Sequence, residues 1–394
     1  MSSAGSSLAA DVVVIGGGIA GCSAAWFLAQ EGLDVLLVER DAVAAHASGA
    51  AAGMLTPTAE GEPGSPLLVR GLAALAQLRE SLCAELRARS GIDPEFEPSG
   101  VLRLALSEDD ERTLRARSSA LSGSGVDVEW LDAQSAGALQ PGLAAGLRGA
   151  SWSPREAHVR SPLLTRAYAG AAQSLGARVV AGAVVTALVL EGDRVAGVRV
   201  AGALEGVISA GCVVVCAGSW SGAVGSWLGA VVAAGALPPV EPVRGQILSL
   251  RESAPTVRTI VWGEGAYLVP KRDGSVIVGA TEERAGFDAR VTARGMAELT
   301  SVAPRLVPAL ADAAFEHGWA GLRPSSPDGL PSIGRIDGVG QLIVAYGHYR
   351  SGVLLSPLSG QLVRDLVIGK DPGRDADVFD PARFSRAASP DRSS

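Results

Sequence analysis

The chain is poor in aromatic side chains, in charged side chains and in net positive charge. Phe, Trp and Tyr make up 4% of its 394 residues, charged residues make up 19%, and the formal net charge is −7. Proteins that bind nucleic acids concentrate basic residues, so this balance argues against a nucleic-acid partner. No apolar run has the roughly 20 residues that a membrane-spanning helix needs. The opening MSSAGSSLAA lacks the basic and apolar parts of a secretory signal, and we expect a disordered lead-in.

Cysteine is also scarce, and its pattern excludes the common metal sites. Cys22, Cys83, Cys212 and Cys216 have none of the spacings typical of zinc ligands. Three of the four lie in apolar segments, which favours reduced thiols in the core of a cytoplasmic protein. We therefore expect neither a metal centre nor a disulfide framework.

Apolar and small residues are abundant instead. Hydrophobic residues make up 47% of the chain, and 50 residues are glycine. A chain of this length can bury a large core and most naturally forms two domains. No internal repeat is present, so a solenoid is excluded.

Residues 11–40 show the order strand, turn, helix, strand. Asp11–Ile15 is a short β-branched run, typical of a buried parallel strand. Good helix formers follow over 20–30, and Gly32 is placed to end that helix. A second apolar run over 34–38 indicates the next parallel strand. This stretch therefore predicts a β-α-β unit.

The turn of this unit carries a dinucleotide fingerprint. Gly16, Gly18 and Gly21 form G-x-G-x-x-G, which allows a tight turn, close approach to a pyrophosphate and close packing of helix on strand. The helix N-terminus supplies partial positive charge for the pyrophosphate. Glu39 ends the second strand, where a carboxylate can accept hydrogen bonds from ribose hydroxyls, and this favours FAD or NAD over NADP.

A stretch of small residues, 44–59, follows the fingerprint. Side chains this small allow a cofactor to approach the backbone closely, whereas a flexible linker would have the same composition. Met54 and Leu55 within it favour a packed segment.

The rest of the chain alternates helices and strands in its first half and is rich in strands later. We predict helices at 65–90, from a Ser107 cap, from 131 to Pro141, and at 160–175, 291–311 and 355–367. We predict strands at 101–106, 126–130, 177–180, 184–190, 194–200, 212–216 and 342–345, with a series of antiparallel strands beginning at Val243. Residues 228–242 are expected to form a connector, and the last twenty or so residues a disordered tail. The pattern predicts an α/β fold with a separate antiparallel sheet.

Two arginines lie in segments punctuated by glycine and proline, which we interpret as loops. Arg323 is in WAGLRPSSPDGLPSIG and Arg350 in YGHYRSGVLLSP. The planar guanidinium suits a carboxylate ligand, but an internal salt bridge to an acid such as Asp328 explains either arginine equally well. Tyr267, in the apolar strand AYLVP, can hydrogen-bond the same anion or simply fill the core. His348 is interpreted as structural or as a neighbour of the cofactor.

No second dinucleotide fingerprint occurs downstream. Enzymes that reduce a flavin with NAD(P)H usually carry two nucleotide sites. The pattern therefore favours a flavin that is reduced directly by an organic substrate and reoxidised by oxygen or another acceptor.

Four motifs together resemble a known family. DVVVIGGGIAG, ASGAAAGMLTP, WAGLRPSSPDGLPSIGR and YGHYRSGVLLSP are similar to those of the D-amino-acid-oxidase-like FAD oxidoreductases, and most of all to the glycine oxidases of thiamine biosynthesis within them. The resemblance covers about residues 11–367. It implies a Rossmann-like FAD-binding domain with an interleaved antiparallel-sheet substrate domain. It places the FAD-binding domain at 1–88, 153–224 and 324–380, the substrate domain at 89–152 and 225–323, and a disordered tail at 381–394.

The resemblance also implies roles for individual residues. The FAD site it implies comprises Gly16, Gly18, Ile19, Ala20 and Gly21 at the pyrophosphate, Glu39 and Arg40 at the adenosine, Ala47, Ser48, Ala52, Gly53 and Met54 at phosphate and flavin, Val185 at the adenine, and His348, Tyr349, Arg350, Ser351, Gly352, Val353 and Leu354 around the isoalloxazine. Arg323, Arg350 and Tyr267 correspond to the family's substrate-carboxylate site. No cysteine lies beyond Cys216, so FAD is expected to be bound non-covalently.

The expected activity is oxidation of a small amino acid at its carbon–nitrogen bond, with the α-hydrogen held over flavin N5. The products are an α-keto acid, ammonia and hydrogen peroxide if oxygen is the acceptor. Glu282 stands where glycine oxidases can carry methionine, and its carboxylate could attract a substrate amine or alter the tolerance for side chains.

Alternatives are a dehydrogenase or a sarcosine or D-amino acid oxidase of the same family, an RNA-modifying oxidoreductase and a flavin-binding structural subunit. We also expect a cytoplasmic homo-oligomer.

Overall fold

The computed structural model describes residues 8–228 and 237–387, in which two large β-sheets are surrounded by helices. The first sheet has the order β17-β18-β11-β1-β2-β8, and β10 and β9 continue from β11. Its strands are β1 (Leu8–Ile15), β2 (Val35–Val38), β8 (Arg178–Val180), β9 (Ala183–Glu191), β10 (Arg194–Gly202), β11 (Gly206–Val215), β17 (Ser332–Arg335) and β18 (Leu342–Tyr346).

Strand β1 lies at the centre of this sheet because its apolar residues are buried on both faces. Val12, Val13 and Val14 are at most 1% exposed, and β1 pairs in parallel with both β2 and β11. Helix α1 (Ile19–Gln30) covers one face and is itself packed between α8 (Ser161–Ser174) and α11 (Ser356–Val367). Parallel strands covered by helices are buried in this way.

The second sheet has the order β16-β12-β15-β14-β13-β4-β6-β5 and is antiparallel except for the pair β4 and β13. Helix α10 (Ala293–Leu306) packs on it through apolar residues such as Leu299 and Leu306. The strands are β4 (Val101–Ala105), β5 (Glu129–Asp132), β6 (Gly149–Ser153), β12 (Glu241–Arg251), β13 (Ile260–Gly263), β14 (Ala266–Pro270), β15 (Ser275–Gly279) and β16 (Ala314–Ser325).

Shorter elements join the sheets. Strand β3 (Met54–Leu55) pairs with β7 (Ala157–His158). The remaining α-helices are α2 (Ala47–Ala50), α3 (Pro57–Glu60), α4 (Pro66–Gln77), α5 (Cys83–Ser90), α6 (Glu108–Gly123), α7 (Ala133–Leu139), α9 (Val224–Leu228) and α12 (Arg383–Ala387). A π-helical turn, Leu78–Leu82, joins α4 to α5, and 3₁₀ turns lie at Gly218–Ala223, Pro308–Asp312 and Arg374–Phe379. None of the described helices combines the length and the apolar run that a bilayer crossing requires.

The chain passes between the two sheets four times. Strands at 8–38, 178–215 and 332–346 belong to the first sheet, and strands at 101–153 and 241–325 belong to the second. The predicted α/β fold with a separate, mainly antiparallel sheet is confirmed.

Several local predictions are confirmed in detail. The predicted helix at 65–90 is α4, the π turn and α5 in succession. Ser107 caps α6 through its hydroxyl, which accepts a hydrogen bond from the Asp110 amide. The hairpin predicted at 184–200 is β9 and β10. All four cysteines are buried and free.

Other local predictions were wrong. The strand predicted at 126–130 lies at Glu129–Asp132. The segment from Trp319 to Gly334 that we interpreted as a loop forms the second half of β16 and most of β17. Strand β16 is at the edge of its sheet, where proline and glycine are tolerated because one side of the backbone needs no partner.

The chain termini also differ from expectation where they are described. Residues 8–10, predicted as lead-in, belong to β1. The predicted tail contains the fully buried Phe379 and helix α12, whose Arg383 bonds to Asp328 at 2.7 Å. Residues 1–7, 388–394 and the connector residues 229–236 lie outside the described part of the chain.

Candidate active site

A cavity of about 420 Å³ opens between the two sheets. Ile15 and Val38, at the carboxyl ends of β1 and β2, line it together with residues of β12, β14 and β16. The structure brings most of the predicted site residues to this cavity: Gly16, Gly18, Ile19, Ala20, Glu39, Arg40, Ala47, Ser48, Ala52, Gly53, Met54, Val185, Tyr267, Arg323 and 348–354. Gly21 is not in its wall and lies inside α1.

The glycine turn is fixed by steric contacts. Gly16 has φ +110°, and a Cβ there would collide with the carbonyl of Cys216. A Cβ at Gly21 would collide with the carbonyl of Gly16, so the helix can approach the turn only without a side chain. The predicted packing role of Gly21 agrees with this contact.

The start of α1 faces the cavity without a side-chain cap. Gly18 occupies the cap position and offers no capping group. The amide of Ile19 donates to Ser48 Oγ at 2.9 Å, and the Ser48 carbonyl in turn accepts from Ser161 Oγ at 2.5 Å. Apart from this contact with Ser48, the helix start has no side-chain cap, and such a start suits a pyrophosphate.

Glu39 is buried at the end of β2. Its carboxylate accepts from the amide of Gly17 at 2.6 Å and from the amide of Asp41 at 2.7 Å. Arg40 next to it lies over the Trp220 ring at 4.6 Å. These contacts hold the carboxylate rigidly at the cavity edge, where a ribose would approach.

The small-residue stretch is a packed wall, as Met54 and Leu55 indicated. Gly53 has φ +81°, and a Cβ there would collide with the carbonyl of Val159. Lys271 Nζ donates to the carbonyls of Ala52 at 2.7 Å and Val159 at 3.0 Å. Burial, aided by the charge of Arg160, lowers the pKa of Lys271 to about 7.

Arg323 lies on β16 and not in a loop. It is opposite Val243 in the register, and its guanidinium lies over Gly245, where a Cβ would collide with it. Its Nη1 donates to the carbonyl of Thr281 at 3.1 Å. A strand and a glycine platform therefore fix this cation at the cavity.

Arg350 lies in the loop between β18 and α11. Its Nη2 donates to Glu282 Oε2 at 2.8 Å, so the acid beside it is Glu282 and not Asp328. Hydrogen bonding from Tyr349 and the nearby charges of Arg350 and Arg323 hold the pKa of Glu282 below its usual value. Asp328 instead pairs with Arg383.

Tyr267 on β14 faces the same cluster. Its ring lies edge-on to Trp262, with the ring centroids 5.7 Å apart, and it packs over Gly279. Burial raises the pKa of Tyr267, while the charges of Arg323 and Arg350 oppose that rise. At neutral pH its hydroxyl is therefore a hydrogen-bond donor beside two cations.

His348 has a structural position. It is buried, and its Nε2 lies 2.7 Å from Ser359 Oγ on α11. Burial lowers its pKa to about 4, so the ring is neutral at physiological pH. The next residue, Tyr349, has φ +48°, an uncommon conformation outside glycine that turns Arg350 into the cavity wall.

Sequence reasoning missed several residues of the cavity wall, among them Glu60, Trp220, Gly245 and Trp262. Glu60 follows four small or polar residues and carried no motif. Gly245 faces Gly321, a residue distant in sequence, so no local pattern marks it. Trp262 faces Tyr267 across the β13–β14 hairpin, and no motif pointed to it.

The wall fits FAD. Four features of the wall match the parts of a dinucleotide. They are the tight glycine turn, the start of α1 without a capping side chain at Gly18, the fixed carboxylate of Glu39 after β2 and the absence of a side chain at Gly53. The cavity then continues to the side chains of Arg323, Arg350 and Tyr267, where the anionic group of a substrate that is oxidised by the flavin would lie.

Comparison with known proteins agrees with this geometry. The family model FAD dependent oxidoreductase (DAO) matches residues 11–366. The chain is 35% identical to a glycine oxidase of Geobacillus kaustophilus, covering 95% of this chain and 96% of that protein. It is 34% identical to the bifunctional protein ThiO/ThiG of a Synechocystis species, covering 96% of this chain and 55% of that protein.

Solved structures give the same result. The crystal structure of glycine oxidase from Geobacillus kaustophilus superimposes with a TM-score of 0.88 over 95% of this chain and 99% of that one, at 35% identity. Fold and sequence agree over nearly the whole length. The chain therefore belongs to the DAO family of FAD-dependent oxidoreductases, and its cofactor is FAD.

Proposed function

We propose that the protein oxidises a small amino acid at its carbon–nitrogen bond, with glycine as the first candidate. The convergence of Arg323, Arg350 and Tyr267 on the FAD cavity is the observation that carries this proposal. The similarity to proteins named glycine oxidase, over nearly the full length of each, supports it.

In this proposal the protein's own residues act by positioning. Arg323 and Arg350 bind the substrate carboxylate, which suits their planar donor groups, and Tyr267 adds a hydrogen bond. Bound FAD supplies an acceptor for the hydride that leaves the α-carbon. Holding that carbon in one orientation lowers the barrier without a general base among the three side chains. The amine must be neutral to release hydride, so activity rises with pH.

The overall reaction follows from the electron balance. The amino acid loses two electrons to become an imine, and water hydrolyses the imine to an α-keto acid and ammonia. Oxygen takes the two electrons and two protons and becomes hydrogen peroxide. Glycine would give glyoxylate.

We assign the cofactor contacts by position. In this assignment Ile19 and Ala20 approach the pyrophosphate, Glu39 and Arg40 hold the adenosine, Val185 contacts the adenine, and Ala47, Ser48, Ala52, Gly53, Met54 and 348–354 surround phosphate and flavin.

Segments 1–88, 153–224 and 324–380 form the FAD-binding domain, and 89–152 and 225–323 form the substrate domain. The similarity to ThiO/ThiG supports a place in thiamine biosynthesis. We further propose a cytoplasmic homo-oligomer.

Anaerobic flavin bleaching tests the proposal. The purified yellow protein is titrated with glycine, sarcosine, D-alanine and D-proline in turn, and then air is admitted and peroxide is assayed. Fast bleaching by glycine with peroxide on reoxidation is the expected result. Bleaching without reoxidation by oxygen would indicate a dehydrogenase, and no bleaching by any of the four would contradict the substrate assignment.

A further inference from the structure

Glu60 is a carboxylate in the cavity wall that none of the described residues engages. It is the last residue of α3, lines the cavity and is half-buried. No hydrogen bond or ion pair joins its side chain to another described residue. Burial raises its pKa, and the charges of Arg350, Arg103 and Arg323 oppose that rise. A carboxylate that lines a cavity without a partner is free to bind a cationic group of a ligand.

The turn that carries Glu60 is held rigidly. The buried Glu156 accepts from the amide of Thr58 at 2.7 Å, and Arg117 Nη2 donates to the carbonyls of Thr58 at 2.9 Å and Gly61 at 2.7 Å. Gly61 lies so close to Leu68 that a Cβ there would have to displace the backbone of α4. These contacts fix the backbone on both sides of Glu60.

The charges around the cavity distinguish Glu60 from Glu282. The negative charges of both carboxylates act on Arg350, but only Glu282 is hydrogen-bonded to it. The Glu282 side chain is 52% exposed. Glu282 therefore already has a cationic partner, whereas Glu60 does not. The cavity wall thus presents two cations, Arg323 and Arg350, together with Glu60, a carboxylate that has no ion-pair partner among the described residues. Such a site favours a ligand that is itself zwitterionic.

We propose that Glu60 binds the ammonium group of the zwitterionic substrate while the arginines bind its carboxylate, and that this ammonium passes a proton to water before hydride leaves the α-carbon. The inference rests on the proposed function and deepens it, since it names the feature that separates amino acids from hydroxy acids. A ligand with a carboxylate alone leaves Glu60 unpaired and is repelled by it. A zwitterion satisfies both ends.

Two ligands that differ only in this group test the proposal. Glycine carries an ammonium where glycolate carries a hydroxyl. Holoenzyme is titrated anaerobically with each, flavin bleaching or perturbation of flavin absorbance gives the dissociation constant, and the KM for glycine is measured separately. The variants are Glu60→Gln, Glu60→Asp, Glu282→Gln and, as a matched control on the exposed face of α10, Glu298→Gln.

We expect Glu60→Gln to weaken glycine roughly tenfold or more, as loss of a charged hydrogen bond does, and to leave glycolate unchanged or bound more tightly. Glu60→Asp keeps the charge and should restore part of the preference for glycine. Equal weakening of both ligands would overturn the proposal, because it would indicate a structural role. A selective loss of glycine in Glu282→Gln but not in Glu60→Gln would also overturn it. If none of the amino acids tested reduces the flavin of the wild-type protein, the proposed function fails. The ratio of the dissociation constants of glycine and glycolate then still tests whether Glu60 binds an ammonium group.

Discussion

The guanidinium of Arg350 holds the carboxylate of Glu282, with Nη2 and Oε2 2.8 Å apart. The two side chains are 39% and 52% exposed, so water reaches the pair. The cation assigned to the substrate carboxylate is thus already matched by a carboxylate of the same chain. An incoming carboxylate must share or displace Glu282, and the pair acts as an internal competitor.

Removal of this competitor should strengthen anion binding. We expect Glu282→Gln to lower the dissociation constant of glycolate about two- to fivefold, since exposed ion pairs are worth up to about 1 kcal/mol. The dissociation constant follows from perturbation of the flavin absorbance. A constant that is unchanged or larger in the variant would show that Glu282 does not compete. The Glu298→Gln variant controls for the change of net charge.

Loss of either cavity arginine should impair substrate binding and spare the cofactor. For Arg350→Leu and Arg323→Leu we expect the KM to rise roughly thirtyfold or more, because the substrate carboxylate loses a charged partner. Arg350→Lys should be intermediate, since an ammonium lacks the planar fork. Steady-state kinetics and the flavin-to-protein ratio measure the two effects. Arg294→Leu, on the exposed side of α10, is the control, and a normal KM in the Arg350 variants would sink the assignment.

The glycine under Arg323 offers a test that changes no charge. A methyl group at Gly245 would collide with the guanidinium, so Gly245→Ala should displace Arg323 and raise the KM about tenfold while FAD stays bound. Gly137→Ala in α7, where a Cβ meets nothing within 4 Å, is the matched control. If the two variants have the same KM, the position of Arg323 does not matter for binding.

The buried Glu156 should make stability depend on pH. Burial raises its pKa from 4.5 to about 7, and one of its oxygens, Oε2, has no partner among the described residues. Between these two pH values the folded state binds more protons than the unfolded state, so this group lowers the free energy of unfolding as pH rises from about 4.5 to 7. The loss approaches about 3 kcal/mol above pH 7.

Glu156→Gln keeps an acceptor for the Thr58 amide and removes the charge. We expect the variant to be more stable than wild type at pH 8 and little changed at pH 4.5. Urea unfolding at the two pH values measures this. If the variant is destabilised equally at pH 4.5 and pH 8, the shape and hydrogen bonds of the carboxylate stabilise the fold, and the cost of burying its charge is not significant.

The fold was predictable where the determinants are local. The order of Ile15, Gly16, Gly21 and Glu39 lies within one β-α-β unit, where Gly21 packs on Gly16 and Glu39 bonds to the amide of Gly17. The cap at Ser107 and the hairpin of β9 and β10 are equally local. Strand β16 was missed because its glycines and Pro324 are typical of loops, and its long pairing with β12 joins residues that are 63 (Arg251 and Ala314) to 84 (Glu241 and Ser325) positions apart.

The sequence by itself therefore determined the dinucleotide unit, the alternation of elements and the residue types that bind an anion. Those properties depend on backbone sterics and periodicity over short stretches. Only the tertiary structure decided that Arg350 bonds to Glu282 and not Asp328, that Gly245 supports Arg323, and that Glu60 lines the same cavity without a partner. These relationships join segments that are distant in sequence, and their burial and charge exist only once the chain has folded.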